Sequence, residues 1–202
     1  MLGKLIEKVI ARWPQFDAVK HGILHPDQLG SVAQRSTEDA GLFLTHLVRS
    51  SWTKGLKTSV VAFNIAQFFP SLNHSMLTAI LWHSGFADCL VSFFSHYLVG
   101  RSTQYSWNSF LSNACDADVG VGQGSALSPI LSALYIAPIL HLFEQQAQAL
   151  NLGSSILSFV DVSLLVSQGK TYNKTLLELT SSYRVVTDLL VSFGLVMVLD
   201  VL

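Results

Sequence analysis

ILSFVDVSLLVSQ, residues 156–168, sets two short apolar arms around a polar centre. The arms Ile156–Phe159 and Ser163–Val166 are rich in β-forming residues and flank Val160-Asp161-Val162. Two such runs about a short centre predict a β-hairpin, although the Asn-Gly or Asp-Gly pair that favours tight hairpin turns is absent. A lone carboxylate at the tip of an apolar hairpin is destabilising unless something compensates it. Asp161 is therefore a candidate functional residue.

Upstream, Thr58–Ala66 (TSVVAFNIA) is short and rich in β-branched residues, and it predicts a buried strand. Downstream, Leu176–Phe193 has the spacing of an amphipathic helix ended by Gly194. Between them, helices are expected over Ser71–Ser84 and Ala87–Val99, and a strand over Gln104–Phe110 that pairs with Ala117–Val121. Near the start, a helix over Leu5–Trp13 should stop at Pro14, and residues 21–36 (HGILHPDQLGSVAQRS) are punctuated like a loop. Ser36 and Asp39 form a capping-box variant opening a helix that runs to about Lys54, with Gly55 ending it.

The chain has 202 residues, of which 50% are apolar and 12% charged, with a formal net charge of −1. Its mean hydropathy is +0.44. This composition excludes a disordered chain, a collagen-like rod and a coiled coil, and the length suits one domain with its own core. Charge is uneven. Residues 1–57 hold eight Lys/Arg against five Asp/Glu, and residues 58–202 hold four against eight. Lys4, Lys8 and Arg12 read as a solvated helix face.

Residues 119–143 lack Asp, Glu, Lys and Arg over the length of a membrane span. Pro129, Pro138, Gln123 and several serines interrupt the run, and no Lys/Arg cluster flanks it. A buried helix after a glycine-rich turn is expected, and no membrane partner. The opening MLGKLIEKVIARW carries Glu7 and Arg12, so it is no secretory signal, and an intracellular protein is expected. Cys89 and Cys115 read as buried small hydrophobes in a reducing compartment. His21 and His25 are four apart, but in a loop with Gly22 and Pro26, and no metal is expected there.

In order along the chain, the segments resemble the blocks of a reverse transcriptase, in the style of non-LTR (LINE-type) retrotransposons. GVGQGSALSPIL at Gly120–Leu131 resembles the signature G-x-P-Q-G-S-x-L-S-P, with Gly122 in place of the proline. FNIAQFFPSLNH at Phe63–His74 is similar to the first carboxylate block, F-D-x-x-x-A-F. SFVDV at Ser158–Val162 is similar to the F-x-D-D hairpin, and GLVMVLD at Gly194–Asp200 to the start of the next block. KLIEKVIARW and HPDQLGSVAQRSTEDA resemble two upstream fingers blocks.

The resemblance implies an α/β (α+β) fold: a polymerase palm-like, largely antiparallel sheet with helices on one face, plus partial fingers and no thumb. Residues 1–57 would be fingers and 58–202 a palm truncated at its C-terminus. It implies an RNA-directed DNA polymerase acting on an RNA template, a DNA primer and dNTP. Three aspartates of that family hold two Mg²⁺ ions that clamp the attacking and leaving oxygens.

Here two of those three positions are substituted: Asn64 stands for the first aspartate and Val162 for the last. Asp161 alone remains as a metal ligand. Asn64 offers a neutral carbonyl oxygen and Val162 offers none, so Mg²⁺ binding should be weak or lost and the domain a catalytically inactive remnant. Phe69 matches the aromatic under the incoming sugar. Gln123, Gly124 and Ser125 match the residues behind the nucleotide, and Arg35 is the candidate for its triphosphate. The alternative is a non-catalytic RNA- or DNA-binding module that retains the template groove.

Overall fold

A computed structural model describes residues 2–198. Its centre is a four-stranded antiparallel sheet in the order β6-β7-β1-β8. The strands are β1 (Lys57–Ile65), β6 (Ser154–Phe159), β7 (Val162–Gly169) and β8 (Met197–Val198). β1 pairs with β7 from Lys57 opposite Gly169 to Asn64 opposite Val162. β6 and β7 form the expected hairpin, joined through Val160 and Asp161.

Successive residues of a strand point to opposite faces, and both faces of this sheet are apolar. Ile156 and Leu165 enter the main core, where Phe63 and Ile65 of β1 also lie. Against that face pack α6 (Ser128–Ala149) and α7 (Tyr172–Ser192). Their neighbours Leu157 and Val166 enter a second cluster with Leu29, joined by Leu44 and Leu47 of α2 (Thr37–Thr53). Helices were expected on one face only. The second face is covered as well, because Leu157, Leu164 and Val166 form an apolar stripe that α2 shields from water.

α6 is the buried helix expected after the glycine-rich turn, and Leu131, Leu134 and Tyr135 are fully enclosed. Among the described residues no helix is long and apolar enough to cross a membrane. α2 opens on the expected capping box: Asp39 N–H donates to Ser36 Oγ (3.2 Å), and Ser36 N–H donates to Asp39 Oδ2 (2.7 Å). α5 covers Asp88–Leu98, close to the expected bounds.

Other expectations are corrected. The first helix, α1, runs Leu2–Lys20 straight through Pro14. Proline removes a backbone bond there, but Pro14 and Ala18 are both buried, and packing outweighs the loss. The helix ends where Gly22 turns left-handed (φ 63°) and Ile23 N–H reaches back to Ala18 O. The helix expected from Ser71 starts later. A short turn, α3 (Phe68–Ser71), comes first, and Asn73 then caps α4 (His74–His83) by accepting from Met76 N–H.

Gln104–Phe110 is not one strand. Asn108 takes φ 52°, and the chain folds back so that β3 (Ser106–Trp107) pairs with β4 (Phe110–Leu111). Outside this ribbon β2 (Ser102–Thr103) pairs with β5 (Cys115–Asp116), while Val119 bridges to Asn73. Both cysteines are exposed, not buried: Cys115 lies on β5, and Cys89, in the first turn of α5, lines an open cavity with Ile10 and Trp13 of α1. Leu199 and Asp200 of the final sequence block lie outside the described residues.

Candidate active site

The β6–β7 turn and the end of β1 meet at one end of the sheet. Asn64 and Val162 are directly paired across the strands. Residues so opposed share a face, with Cβ atoms about 4.5–5.5 Å apart. Asp161 precedes Val162 in the turn, and its carbonyl accepts from Ile65 N–H at 2.8 Å. Asn64, Asp161 and Val162 are therefore brought together. Asn64 Oδ1 is buried and, among the described residues, accepts no hydrogen bond, whereas Val162 is 43% exposed.

The turn itself is strained. Val160 sits at φ 59°, a region that β-branched residues avoid. A two-residue turn with positive φ at its first position is of the kind that favours glycine there. The loop of residues 21–36 holds this turn from behind. Leu29 N–H donates to Ser158 O (2.8 Å), and Ser158 N–H donates to Asp27 O (3.1 Å). Gly30 lies so close that an added Cβ would stand 2.2 Å from Val160 N. Only a residue without a side chain fits between loop and turn.

Phe69, in α3, is partly buried and packs on the main core beside Phe68 at 5.7 Å between ring centroids. Its carbonyl accepts from Val121 N–H (2.8 Å), which joins it to the glycine-rich turn. Gly120 adopts φ 85°, and a Cβ there would lie 2.6 Å from Pro70 O. His74 Nε2–H donates to Gly120 O (2.7 Å). Gln123 and Gly124 are exposed at the turn, and Gly124 takes φ 85°. Between this turn and the ribbon runs an open cavity of about 450 Å³, lined by Pro70, Arg101, Thr103, Tyr105, Gly122 and Gln123.

Ser125 faces a partner that sequence reasoning missed. Its hydroxyl donates to Glu7 Oε2 (2.9 Å), and Ala126 N–H donates to the same oxygen (3.2 Å). Tyr97 OH donates to Glu7 Oε1 (3.0 Å), and the Arg101 guanidinium lies 4.8 Å from the Tyr97 ring centroid. Burial pushes the Glu7 carboxyl up, but these donors and Arg101 together hold it below the ordinary value. α1 is thus pinned to the turn by one carboxylate. A single acid among the lysines of α1 gives no sign of this in the sequence.

Arg35 is exposed, and its Nη1 donates to Pro26 O (2.6 Å) and Gln28 O (2.5 Å). Part of its hydrogen-bonding capacity is thus spent shaping the loop that carries Gly30.

The family model described as reverse transcriptase (RNA-dependent DNA polymerase) matches residues 1–196. The chain belongs to the reverse transcriptase family. No curated protein matches it in sequence. Among solved structures, the fold of this reverse transcriptase domain is similar to apo telomerase from Candida tropicalis truncated from its C-terminal domain. The TM-score is 0.66 at 11% identity, over 99% of this chain and 41% of that one. Telomerase from Candida albicans, in complex with a TWJ fragment of telomeric RNA, gives 0.60 at 14% identity over 98% and 35%. The domain spans well under half of either neighbour, and the shared fold confirms the palm-like sheet.

Reverse transcriptases generally use Mg²⁺. Two such hard ions carry four positive charges and favour carboxylate oxygens. Among the described residues, the tip of this domain offers the Asp161 carboxylate and one neutral acceptor, the unpartnered Asn64 Oδ1. Val162 contributes no donor atom. This donor set does not fit a two-ion centre.

Proposed function

We propose that this reverse transcriptase domain is of the non-LTR retrotransposon type and that its polymerising centre is inactive. Asn64, Asp161 and Val162 stand in that centre at the positions of the metal-binding carboxylates. One observation carries the reading: the strand register sets Asn64 directly across from Val162, with Asp161 beside Val162 in the β6–β7 turn. Such an end-of-sheet trio is where carboxylates would have to converge, and two of its members cannot carry charge. Phe69 and the Gln123–Ser125 turn remain linked through the Val121–Phe69 bond, so the surface for a nucleotide outlasts the chemistry. The family description supports a nucleic-acid template as partner, and the proposal adds a DNA primer, dNTP and an intracellular setting. The exposed Arg35 remains the proposed triphosphate contact, and residues 1–57 and 58–202 the fingers and palm parts.

The test is primer extension on an RNA template with Mg²⁺ or Mn²⁺, run beside the Asn64→Asp, Val162→Asp double variant. The parent should give no extension. Thermal unfolding with and without Mg²⁺ completes it. The double variant crowds three anions and should lose stability without metal, then regain it with Mg²⁺, while the parent is unmoved. Extension by the parent, or equal Mg²⁺ shifts in both proteins, would overturn the assignment.

A further inference from the structure

Far from the hairpin tip, two histidines and a glutamate converge where the 21–36 loop crosses α6. His25, His141 and Glu144 each offer a ligand atom, and these atoms lie within 4.8 Å of one another. His25 is only 3% exposed, which is unusual for an ionisable loop residue. His141 and Glu144 are three apart on α6, and side chains at that spacing share a helix face. The two imidazole rings meet edge to face at 4.8 Å. A cavity of about 160 Å³ opens beside them, lined by His25, Asp27, Glu144 and Gln148 among others.

We propose that His25, His141 and Glu144 form a binding site for a divalent transition ion of the zinc class, which clamps the loop to α6. Imidazole and carboxylate are the donors such an ion takes, and three protein ligands leave a fourth position open to the cavity. His141 Nε2–H donates to Ile23 O (3.3 Å), which leaves the lone pair of its Nδ1 free. His25 Nδ1 accepts from Asp27 N–H at a long 3.2 Å, so the ring proton rests on Nε2 and is donated to Glu144 Oε2 at 3.2 Å. An ion at Nε2 takes the tautomer with the proton on Nδ1, and the long bond from Asp27 N–H is given up in exchange. Asp27 lines the cavity beside the site. Donor atoms around one zinc stand roughly 3.3–3.5 Å apart at the usual bond lengths. His25 Nε2 and Glu144 Oε2 already stand 3.2 Å apart, so the set closes by a shift on the order of 1 Å that brings the half-buried His141 and the 55% exposed Glu144 side chain together. Mg²⁺ prefers oxygen donors and is not the ion for this site.

The full chain, stripped with chelator, is titrated with Zn²⁺ and with Co²⁺. At a hundredfold excess over the dissociation constant, Zn²⁺ should raise the melting temperature by about 5–10 °C, and Mg²⁺ should not. Co²⁺ should give the visible absorption of a four-coordinate site with nitrogen and oxygen donors. Glu144→Gln and His141→Gln alter partly exposed side chains, so both variants should fold and melt near the metal-free parent. Each should weaken Zn²⁺ binding tenfold or more. His25→Gln, at a buried position, is secondary to these two. No Zn²⁺ shift in the parent, or the same shift in both variants, would overturn the site; the latter result would put the ion on other surface histidines.

Discussion

Gly30→Ala tests whether the loop behind the hairpin tip is fitted to it at the level of single atoms. Gly30 has an ordinary negative φ, so alanine meets no conformational penalty of its own. The new Cβ, however, would stand 2.2 Å from Val160 N, 2.8 Å from Phe159 C and 2.8 Å from Val160 Cγ2. The first two are backbone atoms in a turn already held at φ 59°, so no side-chain rotation relieves the clash. Either the loop lifts or the turn shifts, and both loosen the Leu29–Ser158 and Asp27–Ser158 hydrogen bonds. Overpacking costs about 1–3 kcal/mol, and each weakened backbone bond adds about 1 kcal/mol. A loss of about 3–5 kcal/mol lowers the melting temperature of a domain this size by roughly 6–20 °C. Circular dichroism melts of Gly30→Ala and Gly41→Ala measure it. Gly41 lies exposed inside α2 with nothing near its Cβ position, so alanine there should stabilise by about 1 kcal/mol through helix propensity. A Gly30→Ala protein melting within 2–3 °C of the parent, about one kcal/mol on this scale, would refute the close seating of loop on turn.

Glu7→Gln should loosen α1 from the glycine-rich turn, and urea midpoints across acid pH measure it. Because the folded carboxyl is held below its unfolded value, it adds stability above that value and loses it as pH falls through the folded one. The parent should therefore weaken faster than the variant below about pH 4.5, near the ordinary glutamate value. Gly120→Ala combines a positive φ with a Cβ 2.6 Å from Pro70 O, and should cost about 3 kcal/mol in chemical unfolding. Ser36→Ala removes the α2 cap and should lower the melting temperature by about 2–4 °C, or roughly 1 kcal/mol.

What the sequence made legible was whatever its local pattern encodes. The TSVVAFNIA strand, the 156–168 hairpin, the capping box and the buried α6 all follow from short-range periodicity and turn chemistry. Pro14 misled because a proline's local penalty says nothing about the neighbours that bury it. The Gln104–Phe110 segment misled because Asn108, tolerant of positive φ, reads equally well as strand filler. At the tip, Asn64, Asp161 and Val162 were legible as a set through a family resemblance, and their adjacency follows once the strands pair. The contacts of Glu7 with Ser125, and of His25 with Glu144 119 residues away, leave no local trace. Such pairs exist only after the chain has closed.

The geometry of the hairpin tip rests on main-chain bonds: the Asn64–Val162 pairing, the Ile65–Asp161 bond and the loop bonds to Ser158. None of these uses the side chains at 64, 161 or 162. Val162 is half open to water, so neither an apolar nor a charged residue there has to be repacked into the core. Val162 can therefore change at little cost to folding, whereas the buried Asn64 Oδ1 makes position 64 sensitive to added charge. Leu131, Phe63 and Leu165 are buried and hold the shape around the tip without reference to what Val162 carries. Likeness of form at such a place therefore reports the packing behind the tip and is silent on which groups stand at it.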